Sequence, residues 1–353
     1  MYILVLPISG GGFVSQLAIL QHLCEINFIP DVTLASSGGN VAAYIAAAAN
    51  WTWPGIERVA RELNQELFAR PWNNISTLST IIGYFKGDVY NKGCGVYEFL
   101  QKYFDSNTIV QHEIWTGTYN KNRQQARLFC NKKRGTTVMD VSHIDHDLTQ
   151  SMTPVFADGN IVVISEANMA SASIPAIVPP QKILGEDYID GGIASASPLT
   201  IMQEPILQGT RGKSMHMIYV NSVDLSRPVN KPIHNVIDTW RQATSDLIRS
   251  QTVIDRLSGY EILRCHPGDM HKNEFTCNYE NLLRIKQIQQ HVSYSLLEIY
   301  PTQTYEVNIA NFTGDDVIAA IRAGHSCCRC RMWWVSNVGD KISVINDHFA
   351  AMT

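Results

Sequence analysis

Leu34-Ala35-Ser36-Ser37-Gly38-Gly39-Asn40 stands between a short apolar run and the alanine-rich stretch Val41 to Ala49. This is the sequence form of a strand, a cramped turn and a helix, with a hydroxyl at the tip. Strand and helix nearly touch at such a turn, so the residues two before and two after the nucleophile must be small. That requirement selects the register. Ser37 has Ala35 behind it and Gly39 ahead, whereas Ser36 would put bulky Leu34 at the crowded position. Ser37 is the candidate nucleophile. The amides that follow it open a helix, whose N-terminus favours developing negative charge.

Working outward, Tyr2 to Ile8 is a continuous apolar run, as in a strand covered on both faces. Val14 to Ile26 sets Leu17, Leu20, Leu23 and Cys24 at helical spacing, and Asp31 to Ala35 reads as the second strand. Strand, helix, strand and helix with short connections imply a parallel, right-handed unit. Pro54 suits the first turn of a helix running to about Phe68, and Tyr97 to Phe104 is expected to be helical. The irregular, aromatic stretch from Trp72 to Gly95 has the composition of a lid or a plain surface excursion. Further strands are expected at Thr116 to Tyr119, Ala126 to Cys130, Ile161 to Ser165 and Met215 to Val220. Helices are expected over Asn235 to Ser250, Tyr279 to Tyr300 and Gly314 to Ala323, with one more strand at Tyr305 to Ile309. Proline and polar residues gather near Arg227-Pro228, which puts a soft boundary there. The expected division is 1–225, an α/β domain with a mostly parallel central sheet sandwiched by helices, and 226–353, a mainly helical extension packed on it.

The chain has 353 residues, enough for one or two domains, with 45% hydrophobic and 17% charged residues. A formal charge of −4 without a long basic stripe argues against nucleic acid as a partner. The N-terminus has no basic leader and reads as a buried strand rather than a secretory signal. Its longest apolar stretch is too short to cross a bilayer. Cytoplasmic or peripherally membrane-associated placement is therefore expected. Eight cysteines in this length do not make a disulfide scaffold. Cys327-Cys328-Arg329-Cys330, just after His325, lacks a second ligand pair at zinc spacing, so buried or reactive thiols are expected there. The run His143-Ile144-Asp145-His146-Asp147 reads as a solvated loop. No metal or cofactor is expected.

Three more segments bear on the chemistry. Ser9-Gly10-Gly11-Gly12 follows the first strand, and glycines there let backbone N–H groups approach an anion. A dinucleotide fingerprint is disfavoured by Ser15 at the place of its last glycine, and the lysine of a phosphate-binding loop is missing. Tyr188-Ile189-Asp190-Gly191-Gly192 ends an apolar pair with a carboxylate that glycines leave unobstructed. Met169 to Pro180 is rich in small residues and closes on prolines, as a rigid entry to the next strand would.

In this order the four segments resemble the patatin-like phospholipase family, over roughly residues 1 to 225. Pro198 falls where that family closes its acid loop, and Asn91 to Phe104 is similar to its middle helix. The resemblance implies a three-layer α/β/α fold and a serine–aspartate dyad without histidine. Ser37 would attack a lipid ester, Asp190 would take its proton and activate water, and Gly10, Gly11 and Gly12 would bind the oxyanion. Ala35, Gly38 and Gly39 would shape the elbow, and Gly191 and Gly192 the acid loop. It implies a phospholipid or other acyl-ester substrate, met by peripheral contact with a membrane or micelle, for which Trp72 to Tyr97 supply candidate residues. The chain departs from the family at Ser9, Val14 and Ser15, where Asp, Arg and Gly are usual, and at Ala35, where the elbow has glycine. A non-catalytic lipid-binding member and an acyltransferase stay open as alternatives, as does a triad completed by His216, His234, His266 or His325. Oligomeric state is not legible.

Overall fold

The computed structural model describes residues 1–63, 99, 102–103, 109–139, 154–175, 180–222, 236–303, 305–307, 312–336 and 342–352. The 72–97 stretch expected to meet lipid, the 143–147 run, the 227–228 boundary and His234 lie outside the described residues. β1 (Tyr2–Leu6), α1 (Phe13–Glu25), β2 (Val32–Ser36) and α2 (Ser37–Ala48) follow the expected order. α3 (Trp53–Arg61) begins with Pro54 in its first turn.

One sheet organises the chain. β1 pairs in parallel with β2 on one side and with β8 (Met215–Val220) on the other. β3 (Glu113–Asn120) extends it beyond β2, and β10 (Tyr294–Pro301) beyond β8, both in parallel. The parallel centre is thus β3-β2-β1-β8-β10. Its flanks turn antiparallel. β4 (Gln125–Cys130) and the hairpin of β6 (Gln181–Ile183) with β7 (Glu186–Asp190) join through β3, and the two-residue β5 (Val155–Phe156) lies beside β4. On the far side come β11 (Cys328–Ser336) and then β9 (Asp269–Thr276) at the edge. Lys272 and Glu274 alternate outward there, as befits an edge strand exposed to water.

Side-chain alternation builds the layers. Leu4, Leu6, Ala35, Ile218, Val220, Leu297 and Ile299 pack on one face, under α1, α2, α3 and α8 (Gly314–His325). Ile3, Val5, Val32, Leu34, Met217, Tyr219 and Leu296 pack on the other, against Leu199, Met202, Ile206, Ile262 and Leu263. The last five residues lie on α5 (Gln203–Gly209), the loop before it and α6 (Val236–Arg264). The molecule is a mixed sheet, parallel at its centre, flanked by helices on both faces. Beyond residue 226 the described residues form α6, α7 (Tyr279–Ile288), α8 and α9 (Ile342–Ala350), and three strands that continue the same sheet. No helix among the described residues is long and apolar enough to cross a membrane.

Three local expectations are corrected. Ile161 to Ser165 is not a strand but the first part of α4 (Ile161–Ser171), whose cap Asn160 accepts a hydrogen bond from Val162 N at 3.0 Å. A short apolar run has no period of its own, and the cap decides. The helix expected over Tyr279 to Tyr300 ends at Ile288, and Tyr294 onward is β10, drawn into the sheet by β8 and β11. Of the strand expected at Tyr305 to Ile309, Tyr305 to Val307 carries no strand pairing, and 308–309 lie outside the described residues. β9 and β11 had no sequence reading.

Candidate functional site

Ser37 is the first residue of α2, at φ +54°. A non-glycine residue in the left-handed region costs about 1–3 kcal/mol and persists where its surroundings enforce it. Here Ser37 N donates to Ser171 Oγ at 2.9 Å, and Ser171 Oγ donates on to Gly117 O at 2.7 Å. The end of α4 thus pins the turn to β3.

Two registers bring the acid to the hydroxyl. Ser36 lies opposite Gly117 in the β2–β3 pairing, and Thr118 lies opposite Asp190 in the β3–β7 pairing. Residues 153 apart in the chain therefore meet. Ser37 Oγ donates to Asp190 Oδ2 at 2.7 Å, and Gly192 N donates to Asp190 Oδ1 at 2.8 Å. Both side chains are 2% exposed. Burial pushes the Asp190 carboxyl up to about 7, against the lowering effect of those two hydrogen bonds.

The glycines around the pair are places of close approach. A Cβ at Gly38 would stand 2.5 Å from both Gly10 O and Ser9 Oγ, so the glycine loop lies directly on the residue after Ser37. A Cβ at Gly39 would overlap the carbonyls of Leu6 and Pro7, and one at Gly191 the carbonyl of Gly117. Gly192 packs on the Ile8 side chain, and Ile8 N donates to Ala196 O at 2.7 Å, which joins the glycine loop to the acid loop. Gly10 itself has φ +51° and opens the 3-10 turn Gly10–Gly12. Gly12 N already donates to Ser9 O at 2.9 Å. Ala35 is fully buried on β2, between Leu6 and Thr116.

Gln16 had no place in the sequence reading. It is fully buried, donates to Pro7 O at 2.9 Å and Val220 O at 3.2 Å, and accepts from Ser9 Oγ at 2.8 Å. It ties the ends of β1 and β8 to the start of the glycine loop. The available signal was a polar side chain between the apolar positions Val14 and Leu17 of α1. Asp255 on α6 was also missed. Its carboxylate accepts from Ser197 Oγ at 2.6 Å, Tyr219 OH at 2.9 Å and Thr200 Oγ1 at 3.0 Å, and so holds the loop that follows Asp190. Burial raises its carboxyl to about 6.

None of the described late histidines hydrogen-bonds to Ser37 or Asp190. His216 pairs with Ser295 Oγ at 3.0 Å, and burial together with the nearby N-terminal ammonium pushes it down to about 4. His266 stacks on Tyr294, and His325 faces Glu25. Cys328 and Cys330 are free, buried thiols in the β11 core, and burial raises both far above the ordinary thiol value.

A family model described as patatin-like phospholipase matches residues 6–202, more than half of the chain. No curated protein matches it. Among solved structures, VipD from Legionella pneumophila is similar at 11% sequence identity and a TM-score of 0.35, with 98% of this chain and 67% of that chain covered.

Proposed function

The chain belongs to the patatin-like phospholipase family, and on that premise we propose that it is a lipid acyl hydrolase working through Ser37 and Asp190. The observation that carries the reading is the 2.7 Å hydrogen bond from a serine at φ +54° to a buried carboxylate. A base with a pKa near 7 is matched to proton transfer near neutral pH. Ser37 Oγ attacks the ester carbonyl carbon while its proton passes to Asp190. The oxyanion is received by the N–H groups of Gly10 and Gly11 at the loop over Gly38; Gly12, whose N–H is engaged with Ser9, shapes the turn. Collapse breaks the bond to the alcohol, which leaves with the proton from Asp190, and the acyl group stays on Ser37. Water then attacks the acyl carbon as Asp190 takes its proton. Release of the fatty acid returns that proton to Ser37.

Substrates in this reading are phospholipids or related acyl esters, met at a membrane or micelle surface. Residues 1–225 carry the chemistry and 226–353 brace it, which the bonds from Asp255 to Ser197 and Thr200 support.

The test is labelling with a fluorophosphonate probe, located by peptide mass, alongside release of fatty acid from phospholipid micelles. Adduct on Ser37, with turnover abolished in Ser37→Ala and Asp190→Asn, is expected. Retained turnover in His216→Ala, His234→Ala, His266→Ala and His325→Ala separates the dyad from a triad. Transfer of acyl groups to added glycerol in place of release to water would overturn the hydrolase reading.

A further inference from the structure

His22 and Glu25 share a face in the last two turns of α1, three residues apart. His325 ends α8 and stacks its ring on His22, with centroids 3.7 Å apart. The His22 ring is 4% exposed, and its Nε2 lies 2.6 Å from the His325 carbonyl oxygen. A carbonyl only accepts, so Nε2 carries the proton and Nδ1 presents a lone pair. That Nδ1 is buried and has no hydrogen-bond partner. It faces Glu25 Oε2, a second acceptor, at 3.6 Å. His325 Nε2 stands 3.1 Å from Glu25 Oε1 and 3.3 Å from Oε2. The three donor atoms all lie within 4.8 Å of one another.

Two acceptors turned toward each other, one of them buried, are unfavourable unless something positive sits between them. A proton on Nδ1 is one solution. A metal ion is the other solution. We propose that His22 Nδ1, Glu25 and His325 Nε2 form a site for a divalent transition cation of the zinc class, with a solvent molecule as fourth ligand.

The separations suit this assignment. Zinc–nitrogen and zinc–oxygen bonds of about 2.0–2.1 Å in tetrahedral geometry put ligand atoms about 3.3–3.4 Å apart. To the single oxygen Glu25 Oε2 the separations are close to that value, 3.6 Å from His22 Nδ1 and 3.3 Å from His325 Nε2. The remaining ring N–H of a metal-bound histidine characteristically donates to a backbone carbonyl or carboxylate, and His22 Nε2 already does. Two imidazoles select a transition metal over calcium or magnesium. His325 and Glu25 side chains are 27% and 32% exposed, so an ion enters from solvent. On binding, the partly exposed His325 ring tips out of its stack on His22 so that its in-plane Nε2 lone pair meets the ion, and its proton sits on Nδ1. The site joins α1 to α8 at the end of α1 away from the glycine loop, about 20 Å along a 13-residue helix. The ion is therefore a staple between the first and last parts of the chain, and ester chemistry does not depend on it.

The experiment uses the full chain, stripped with chelator and dialysed, then titrated with Co²⁺ and with Zn²⁺. Expected are one equivalent of Co²⁺ with the strong visible absorption of a four-coordinate nitrogen–oxygen site, its displacement by Zn²⁺, and a Tm raised by Zn²⁺. Glu25→Gln and His325→Ala should each weaken binding by at least the roughly 10–100-fold that loss of an outer-shell partner costs. Both side chains are partly exposed, so these variants fold even where His22→Gln does not. Ester turnover of the chelated wild type should be unchanged. No saturable binding at micromolar metal would overturn the proposal. So would wild-type affinity in both variants, a thiolate charge-transfer spectrum locating the ion on cysteine, or turnover that stops when the metal is removed.

Discussion

Asp190→Asn separates what the buried carboxyl contributes to chemistry from what it costs the fold. Asn matches the protonated acid. Its oxygen accepts from Gly192 N as Oδ1 does, and its NH₂ donates to Ser37 Oγ in place of the contact with Oδ2. The variant is thus the wild type fixed in its low-pH form. The gap between the ordinary value of 3.8 and about 7, at 1.36 kcal/mol per pH unit, corresponds to about 4 kcal/mol. Its sign follows from proton binding. Between these two values the folded protein holds a proton on Asp190 that the unfolded chain has lost, so wild-type stability falls as pH rises through that window. Asn has no such dependence.

Urea unfolding of both proteins between pH 5 and pH 9, followed by tryptophan fluorescence, reads this directly. The variant should gain on the wild type by about 1.4 kcal/mol per pH unit up to about pH 7, and the difference should then stay level. Fatty-acid release should be lost in the variant at every pH. In the wild type, kcat/KM should rise with pH along a single acid limb near 7. A stability difference that does not change with pH would refute the reasoning, because Asp190 would then ionise in the fold as it does in water. An acid limb near 4 would refute it independently.

Two further perturbations follow from the loop. Gly38→Ala forces a methyl against Gly10 O and Ser9 Oγ, which moves the glycine loop off the elbow; kcat should fall by about 10²–10³, the worth of an oxyanion donor, with a smaller change in Tm. Gln16→Ala leaves Pro7 O, Val220 O and Ser9 Oγ without their partner, and should cost about 3 kcal/mol in urea unfolding as well as about tenfold in kcat. A Gln16→Ala protein with full activity and unchanged stability would show that the loop does not need this brace.

The centre of the fold was legible because steric demands write themselves into residue size. Small residues at Ala35 and Gly39 fixed the register at Ser37, and the glycines after Asp190 marked the second loop. Their need is now visible, since Gly39 abuts Leu6 O and Gly191 abuts Gly117 O. The run at Ile161 and the segment from Tyr294 resisted reading for a shared reason. Each is a short apolar stretch whose state is set by what lies beside it, a cap at Asn160 in one case and the strands β8 and β11 in the other. Ser171, Gln16 and Asp255 resisted differently. Each is an ordinary polar residue whose role exists only through a partner far along the chain, and no local pattern announces such a pairing.

The positions where the chain departs from the family acquire an account from the same contacts. Val14 is fully buried in the apolar cluster that α8 also joins, surroundings unfavourable to a charged side chain. Ser9 lends its hydroxyl to Gln16. Ser15, where the family has glycine, donates to Tyr305 O at 2.8 Å and accepts from Tyr305 N at 3.1 Å, and Val307 N reaches Gly11 O. Ser9 and Ser15 do not leave the glycine loop unsupported: Ser9 is held by Gln16, and Ser15 ties the start of α1 to the 305–307 segment. A loop held this way gains rigidity from the last third of the chain. Since electrostatic stabilisation by backbone amides depends on donors fixed before the charge develops, in the proposed reaction that last third would act on the chemistry without supplying an atom to it.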